Sequence, residues 1–215
     1  MPGGRGKITT WQVPADGSSP PTELIDLARS VDEAEYSRDG QWLLMRVGSG
    51  AGRDIMARRT SGDTSLRSIV ATKAEEFSPT LSPDGRWLAY GSDESGRSEV
   101  YVRPFPDAGS ARSTVSHNGG DEPRWSHSGK ELFYRDGKEN LIAAEVAPGE
   151  TFRVLSERTL FSTHEYGTDN RHNYYSVAPD DRSFYFVKSP NLTGTANQLI
   201  VTLNWFEELK RKVGP

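Results

Sequence analysis

One short segment of the chain gathers residue types that could do chemistry. Between residues 163 and 175, imidazoles, carboxylates, a guanidinium and phenols are interleaved, and the candidates are His164, Glu165, Tyr166, Asp169, Arg171 and His172. Two histidines and two carboxylates could ligate a divalent metal, whereas the arginine and tyrosines could contact a protein partner. The simpler interpretation, which we favour, is a solvated loop. Because loops on rigid scaffolds commonly carry function, these six residues are our candidate partner-binding loop.

Other motifs with a chemical mechanism are missing from the sequence. The chain has no cysteine, which excludes disulfides, cysteine zinc sites and cysteine nucleophiles. The glycine-rich segment 48–54 opens no predicted helix, so it lacks the phosphate-binding mechanism of a nucleotide loop. No Gly-x-Ser-x-Gly elbow, P-loop or kinase catalytic motif occurs. We therefore predict no catalytic, cofactor-binding or metal-binding residues, and no enzymatic activity of this chain by itself.

The composition indicates a folded globular chain. Hydrophobic residues make up 34% of the 215 residues and charged residues 26%, which argues against a disordered chain. No apolar run approaches the ~18 residues that a membrane span requires, and no signal peptide is visible at the start. The net charge of −4 gives no support for a nucleic-acid partner.

An internal repeat predicts the elements that position these residues. Four segments align, at residues 35–45, 80–90, 124–134 and 176–186. In each, a short strand runs into Ser-x-Asp-Gly or a degraded version of it, and a second strand follows. Asp and Gly favour a tight turn, because the Asp side chain bonds to the backbone and Gly accepts positive φ. Gly40, Gly85, Gly129 and Asp181 hold equivalent positions, in steps of 45, 44 and 52 residues.

The second strand of each copy is apolar on both faces. Alternate residues share one face of a strand, and the apolar columns of that face are Leu43/Leu88/Leu132/Phe184 and Met45/Tyr90/Tyr134/Phe186. The column between them, Leu44/Ala89/Phe133/Tyr185, is also non-polar, which suits a sheet packed between two others. Third strands are predicted at 54–57, 99–102, 140–143 and 198–201, and outer strands at 66–70, 112–115 and either 152–155 or 158–161.

Four short strands in each repeat of this length are typical of a β-propeller blade. We predict an all-β propeller of about four and a half four-stranded antiparallel blades, over residues 7–203. Its blades lie at approximately 7–27 (partial), 31–70, 77–116, 122–161 and 174–203. A short C-terminal helix is predicted at 204–213, since Asn204 is a good N-cap and Glu207 follows three residues later. We favour an open arc from a longer propeller, with a closed ring or self-assembly as the alternative.

The repeat carries a family resemblance. Residues 81–90, Leu-Ser-Pro-Asp-Gly-Arg-Trp-Leu-Ala-Tyr, resemble the WD40-like PD40 repeat of the TolB-like propellers, and the resemblance covers about residues 8–213. Three copies depart from this pattern, at Arg38, at His127 and Ser128, and at Asp181. The ending at 201–210 is similar to the terminus of TolB-like propellers that follow bacterial serine/threonine kinase domains.

The repeat and the absence of a catalytic motif favour a recognition module rather than an enzyme. We expect a non-catalytic propeller that binds a protein or peptide at one end of its channel, as the C-terminal part of a larger bacterial protein. The alternative is the sensor of a membrane-anchored serine/threonine kinase, with the kinase cytoplasmic and the propeller periplasmic. A metal-dependent propeller enzyme using residues 163–175 is the third hypothesis. We expect no cofactor, no nucleic-acid partner and no membrane span in this chain, and self-association through open blade faces.

Overall fold

The computed structural model describes residues 8–27, 29–48, 52–109, 111–168 and 172–188. These residues form sixteen β-strands and contain no helix. The strands make three four-stranded antiparallel sheets and two two-stranded sheets. The prediction of an all-β propeller with four-stranded blades is confirmed. The predicted strand at 198–201 and the predicted helix at 204–213 lie outside the described residues.

Each complete blade is formed by strands that pair in sequence order. Blade 1 contains β3 Val31–Tyr36, β4 Trp42–Val47, β5 Asp54–Arg59 and β6 Arg67–Val70. Blade 2 contains β7 Glu76–Leu81, β8 Trp87–Ser92, β9 Glu99–Pro104 and β10 Ser113–Thr114. Blade 3 contains β11 Gly120–Trp125, β12 Glu131–Asp136, β13 Asn140–Val146 and β14 Val154–Ser162.

Two hairpins flank the three complete blades. The N-terminal hairpin pairs β1 Ile8–Gln12 with β2 Thr22–Leu27, and the blade 4 hairpin pairs β15 Tyr175–Val177 with β16 Phe184–Phe186. Leu24 of the first hairpin packs beside Leu43 and Met45 of blade 1. At the other end, Phe184 and Phe186 pack on the core of blade 3. The five sheets therefore stack in chain order.

The alternation of side chains along the second strand of each blade decides which neighbour each one meets. In blade 1, Leu43 points toward the N-terminal hairpin, whereas Leu44 packs with Leu88 and Tyr90 of blade 2. Phe133 of blade 3 faces the blade 4 hairpin in the same way. Each of the three complete blades is thus covered on both faces, which removes apolar area from water on two sides at once.

Tyr185 breaks this rule. Its repeat equivalents Leu44, Ala89 and Phe133 are at most 1% exposed, whereas Tyr185 is 66% exposed. The sequence predicted a covered face here. Among the described residues no sheet packs on that face of the blade 4 hairpin, so the physical reason for burial is missing at this position.

The first strand of each complete blade carries an irregularity at the same place. The pairing register shifts between Val31 and Glu33, between Phe77 and Thr80, and between Asp121 and Arg124. At the bulge, Ser78 has φ of 50° and Glu122 has φ of 53°. Left-handed backbone at a residue other than Gly is strained, so the surrounding contacts must hold it.

Blades 1 and 3 stabilise the bulge with charge, and blade 2 with an aromatic ring. Buried Arg46 and Arg135 occupy one repeat position, and their guanidinium nitrogens lie 4.0 and 3.2 Å from the carboxylates of Glu33 and Glu122. In blade 2 that position is Gly91. The ring of Phe77 fills the space, since a Cβ added to Gly91 would lie 2.1 Å from its Cε2. The blades therefore solve one packing problem in two ways.

This packing makes a testable prediction for Gly91→Ala. The added methyl group must displace the buried ring of Phe77, and overpacking of this kind costs about 1–3 kcal/mol of unfolding free energy. Urea unfolding followed by tryptophan fluorescence measures the loss. The control is Gly109→Ala, because nothing lies within 4 Å of a Cβ at that position. Equal midpoints for the two variants would contradict the packing argument.

Candidate binding site at the mouth of the central channel

The Ser-x-Asp-Gly turns end the first strand of each blade with a shared set of hydrogen bonds. In blade 2, the Ser82 hydroxyl donates to Asp84 Oδ1 over 2.6 Å and accepts from the Trp87 N–H over 3.0 Å. Asp84 Oδ1 also accepts from the Arg86 N–H. Gly85 has φ of 70°, a backbone conformation that Gly adopts without strain and other residues adopt with strain. These turns all lie at one end of the channel, which we call the mouth.

The residues that depart from the repeat meet at the mouth. The carboxylate of Asp181 accepts hydrogen bonds from the backbone N–H groups of His127 and Ser128, over 2.6 and 2.9 Å, and lies 3.2 Å from His127 Nδ1. Arg38 of blade 1 donates to the His127 carbonyl over 2.8 Å. We call this set the rim network. It joins blades 1, 3 and 4 across the mouth.

The electrostatics of Asp181 follow from these bonds. Burial by itself would raise the pKa of Asp181, but hydrogen bonds from the N–H groups of His127 and Ser128 outweigh it and hold the pKa below its usual value. Asp181 also replaces the turn glycine of the repeat, with φ of 58°. The side chain therefore provides a link between blades at a position where the backbone would favour Gly.

The mouth opens into a cavity of about 360 Å³. This volume is near the lower end of the ~300–1,000 Å³ found for small-ligand pockets. All four blades contribute to its wall, through Glu35, Tyr36, Ser37, Arg38, Thr80, Leu81, Pro83, Arg124, Trp125, Ser126, His127, Ser176 and Val177. Tyr36 is one of these residues, and it is 47% exposed. We call this space the mouth cavity.

An ion pair crosses the channel in the mouth cavity. Glu35 of blade 1 and Arg124 of blade 3 occupy the same repeat position and approach to 3.4 Å. Burial raises the pKa of Glu35, and the attraction of Arg124 does not compensate for it. The Nε of Arg124 is buried and has no hydrogen-bond partner in the described part of the chain. This arginine is therefore only partly satisfied.

The mouth cavity has a floor. The next residues toward the opposite end of the channel are Ser78 and Glu122, and both are fully buried. Glu122 accepts hydrogen bonds from the Arg135 guanidinium, the Thr168 hydroxyl and the Tyr174 N–H, over 3.2, 3.1 and 2.7 Å. Side chains of blades 2 and 3 thus narrow the channel below the cup of the mouth cavity, whereas the equivalent Glu33 of blade 1 is partly exposed.

The described part of the predicted loop at 163–175 lies at the end of the channel opposite the mouth. It connects the outer strand of blade 3 to the first strand of blade 4, and β14 pairs with β13 so that Ser162 lies beside Asn140. Arg135 holds this loop by donating to the Gly167 carbonyl over 2.7 Å and to the Thr163 carbonyl over 3.3 Å. A buried ion pair between Arg135 and Glu122 therefore anchors the loop.

The described candidates of the loop have separate partners. His164 contacts the Glu139 carboxylate, which raises the pKa of His164 by hydrogen bonding. Tyr166 stacks on Phe186 with centroids 4.6 Å apart. Glu165 pairs with Lys188 over 2.6 Å, and His172 Nδ1 lies 3.0 Å from Glu33 Oε1 of blade 1. Asp169 and Arg171 are outside the described residues.

No metal site is evident at the predicted loop. Within the described ranges, no three His, Asp or Glu side chains are grouped so that they could hold a metal ion. The two histidines of the loop turn to different carboxylates, one in blade 3 and one in blade 1. The loop remains a predicted partner-binding site, and the mouth cavity is a second candidate.

Comparisons with known proteins identify the fold. No protein-family model and no curated protein sequence matches the chain. Its structure is similar to TolB from Acinetobacter baumannii, with a TM-score of 0.63 and 14% identity over 86% of this chain and 44% of that one. The chain has a TolB-like β-propeller fold.

Enzymes share this propeller fold. A puromycin-hydrolyzing peptidase from Mycobacterium tuberculosis matches with a TM-score of 0.59 and 20% identity, over 77% of this chain and 30% of that one. An oligogalacturonate lyase in complex with manganese matches with a TM-score of 0.55 and 14% identity, over 81% and 49%. This chain therefore spans less than half the length of each of these three structures, and the likeness establishes the fold alone.

The aligned repeats contain a pattern that indicates the mouth cavity but that a search for catalytic motifs does not detect. In the aligned repeats, Glu35, Thr80, Arg124 and Ser176 form a column that is polar in all four copies although it lies within a strand. A polar column on the first strand of every blade of a propeller indicates the channel lining. Its significance depends on knowing that the first strands meet at a common axis.

A buried carboxyl between blades 1 and 2 responds to pH. Glu76 is fully buried and accepts a hydrogen bond from the Thr72 hydroxyl over 2.5 Å. Burial is the main cause that raises the pKa of Glu76 to about 7, and the negative charges of Asp54 and Glu94 add to it. At neutral pH the propeller therefore holds a carboxyl that is only partly ionised.

Glu76→Gln tests this state of the carboxyl. Because the folded pKa of Glu76 is above its unfolded value of 4.5, the folded wild type loses stability as the pH rises from 4.5 through about 7. Glutamine keeps the acceptor for Thr72 and removes the titration, so we expect E76Q to be more stable than wild type at pH 8. The difference should vanish near pH 4. Urea midpoints between pH 4 and 8 measure it, and parallel curves for both proteins would contradict the assignment.

Asp181→Asn tests the rim network. Loss of the charged acceptor should lower the unfolding free energy at pH 7 by about 1–3 kcal/mol, as for other charge-assisted hydrogen bonds. Since the folded pKa of Asp181 is lowered, its contribution is present above the unfolded pKa and disappears as the pH falls through the folded value. The control is Asp180→Asn, whose carboxylate accepts the nearby Arg182 N–H within its own turn. Equal losses in the two variants would refute a special role for Asp181.

Proposed function

We propose that this propeller is a non-catalytic module that recognises a protein or peptide at the mouth of its channel. The observation that carries the proposal is the mouth cavity, in which four blades converge on a cup with charged groups and an exposed tyrosine. Recognition sites of proteins combine an aromatic anchor with arginine in this way. The rim network links blades 1, 3 and 4 around the cup, and links of this kind reduce the conformational entropy that is lost when a partner binds.

Catalysis is less well supported by the same residues. His127 and Asp181 resemble the base and orienting acid of a hydrolase triad, with 3.2 Å between Nδ1 and the carboxylate. A triad needs a nucleophile at the other ring nitrogen. In the described part of the chain, no hydroxyl is hydrogen-bonded to His127 Nε2, and the Ser128 hydroxyl contacts Ser126 instead. The arrangement thus fits a structural link better than a reaction centre.

The role of the module in a larger protein is a further part of this proposal. The ending at 201–210 resembles propellers that follow bacterial serine/threonine kinase domains, which supports a sensor function on the extracytoplasmic side of a membrane. In the residues that the structure describes, no helix is long and apolar enough to cross a membrane. The reading frame upstream of this sequence tests the proposal: a kinase domain followed by a membrane helix supports it, and an unrelated domain overturns it.

Peptide panning tests recognition at the mouth. Random octapeptides on the purified chain should yield binders whose affinity falls about tenfold in Tyr36→Ala, as expected for an aromatic hot spot. The matched control is Tyr166→Ala, which removes a tyrosine from the loop at the opposite end. Fluorescence polarisation with the selected peptides measures both variants. Loss of binding in Y166A with Y36A intact would place the site at the 163–175 loop, and an absence of any binder would refute peptide recognition.

A further inference from the structure

We propose that the mouth cavity binds the free C-terminal carboxylate of the partner peptide, with Arg124 as its anchor and Arg38 beside it at the rim. This inference rests on the proposed function. It adds the chemical group that the cavity recognises and the direction in which the peptide enters.

The mouth combines two arginines with two carboxylates. Arg38, Arg124 and Glu35 lie in the wall of the cavity, and the Asp181 carboxylate lies at its rim. The N–H groups of His127 and Ser128 already bind Asp181, and burial raises the pKa of Glu35, which favours its neutral form. An anion is therefore favoured by Arg124 itself rather than by an excess of positive charge at the mouth.

Arg124 is available for a ligand, in contrast to the other arginines near the axis. Arg46 donates to the Glu76 carbonyl over 2.9 Å and to Glu75 over 2.8 Å, and it is fully buried. Arg135 is held by Glu122 and by two carbonyls of the 163–175 loop. Among the described residues, Arg124 has one hydrogen-bonding partner, Glu35 at the long distance of 3.4 Å, and its side chain is 28% exposed. Its Nε–H is buried, and most of the N–H donors on its terminal nitrogens have no acceptor within the described ranges.

The shape of the cavity favours a chain end. A peptide that passes through a site needs two wide openings, and the fully buried Ser78 and Glu122 narrow the channel below the mouth cavity. A cup with an arginine at its base can accept a terminal carboxylate, which pairs well with the planar guanidinium fork. The exposed ring of Tyr36 and the half-buried Leu81 and Val177 offer apolar surface to the last side chain.

The test compares one peptide sequence with and without its terminal charge. Octapeptides selected by panning with free C-termini are resynthesised as the acid, the C-terminal amide and the acid extended by two glycines. We expect the amide to bind about 10- to 100-fold more weakly, since a charge-assisted hydrogen-bonded pair is lost. An amide that carries Asp or Glu as its last residue distinguishes an acidic side chain from the terminus, and full affinity of that peptide would overturn the choice of the C-terminus.

Two variants with opposite expected effects on peptide binding keep the test independent of folding defects. Arg124→Gln should abolish the difference between acid and amide. Glu35→Gln should increase the affinity for the acid several-fold, because it frees Arg124 and removes a negative charge near the ligand. Arg158→Gln is the control: Arg158 pairs with Glu131 over 2.7 Å on the outer strand of blade 3. Thermal melting confirms that each variant is folded.

The outcomes separate this inference from the proposed function. If acid and amide bind equally well and Y36A still weakens both, peptide recognition at the mouth stands and the carboxylate anchor is wrong. If E35Q weakens binding of the acid, the role of Arg124 is wrong as well. If neither the acid nor the amide peptides bind, the proposed function itself is wrong.

Discussion

A sheet that is apolar on both faces must be covered on both, and this constraint organises the whole molecule. In blade 1, Leu43 and Leu44 are adjacent in sequence and face opposite sides, so each requires its own neighbouring sheet. Sheets twist as they stack, and repeated stacking of twisted four-stranded sheets brings their first strands around a common axis. The channel and its mouth follow from that packing rather than from any residue selected for binding.

Convergence of the first strands creates a difficulty, because polar strand residues are brought together where little water remains. The propeller resolves it blade by blade. In blades 1 and 3 a buried arginine accompanies the acidic residue at the bulge, whereas blade 2 uses the contact between Phe77 and Gly91. An ion pair and an aromatic contact are alternatives of similar net value when the pair is well hydrogen-bonded. The charged version, at Arg135, also holds the loop that enters blade 4.

The residues that depart from the repeat distinguish this propeller from others with the same fold. A perfect repeat would place Pro, Asp and Gly at every turn and give a symmetric mouth. Here Arg38, His127 and Asp181 replace those residues, and the three substituted turns contact one another. Similar propellers occur in a peptidase and a lyase, so the scaffold does not define the function. The mouth is asymmetric, and the hydrogen-bond donors of its Arg124 are only partly used. From this feature of the chain we infer the ligand.

The sequence by itself determined the blade architecture, because the information is local. Apolar columns at spacing two, a turn glycine with positive φ, and recurrence at about 45 residues are all properties of short segments. Gly85 and Leu88 could be assigned to turn and strand without knowledge of any distant residue. The positive φ of Asp181 shows the same logic in a degraded copy, since its turn keeps the backbone of the glycine that it replaces.

Only the tertiary structure decided which residues form a site. The separation of His164 from His172, and the approach of Glu35 to Arg124, join or divide residues that lie in different blades. Their distance in space depends on how far the stacked sheets rotate about the axis, and no local pattern encodes that angle. The exposure of Tyr185 has the same origin: its column is apolar in every copy, and burial depends on whether another sheet is present to cover it.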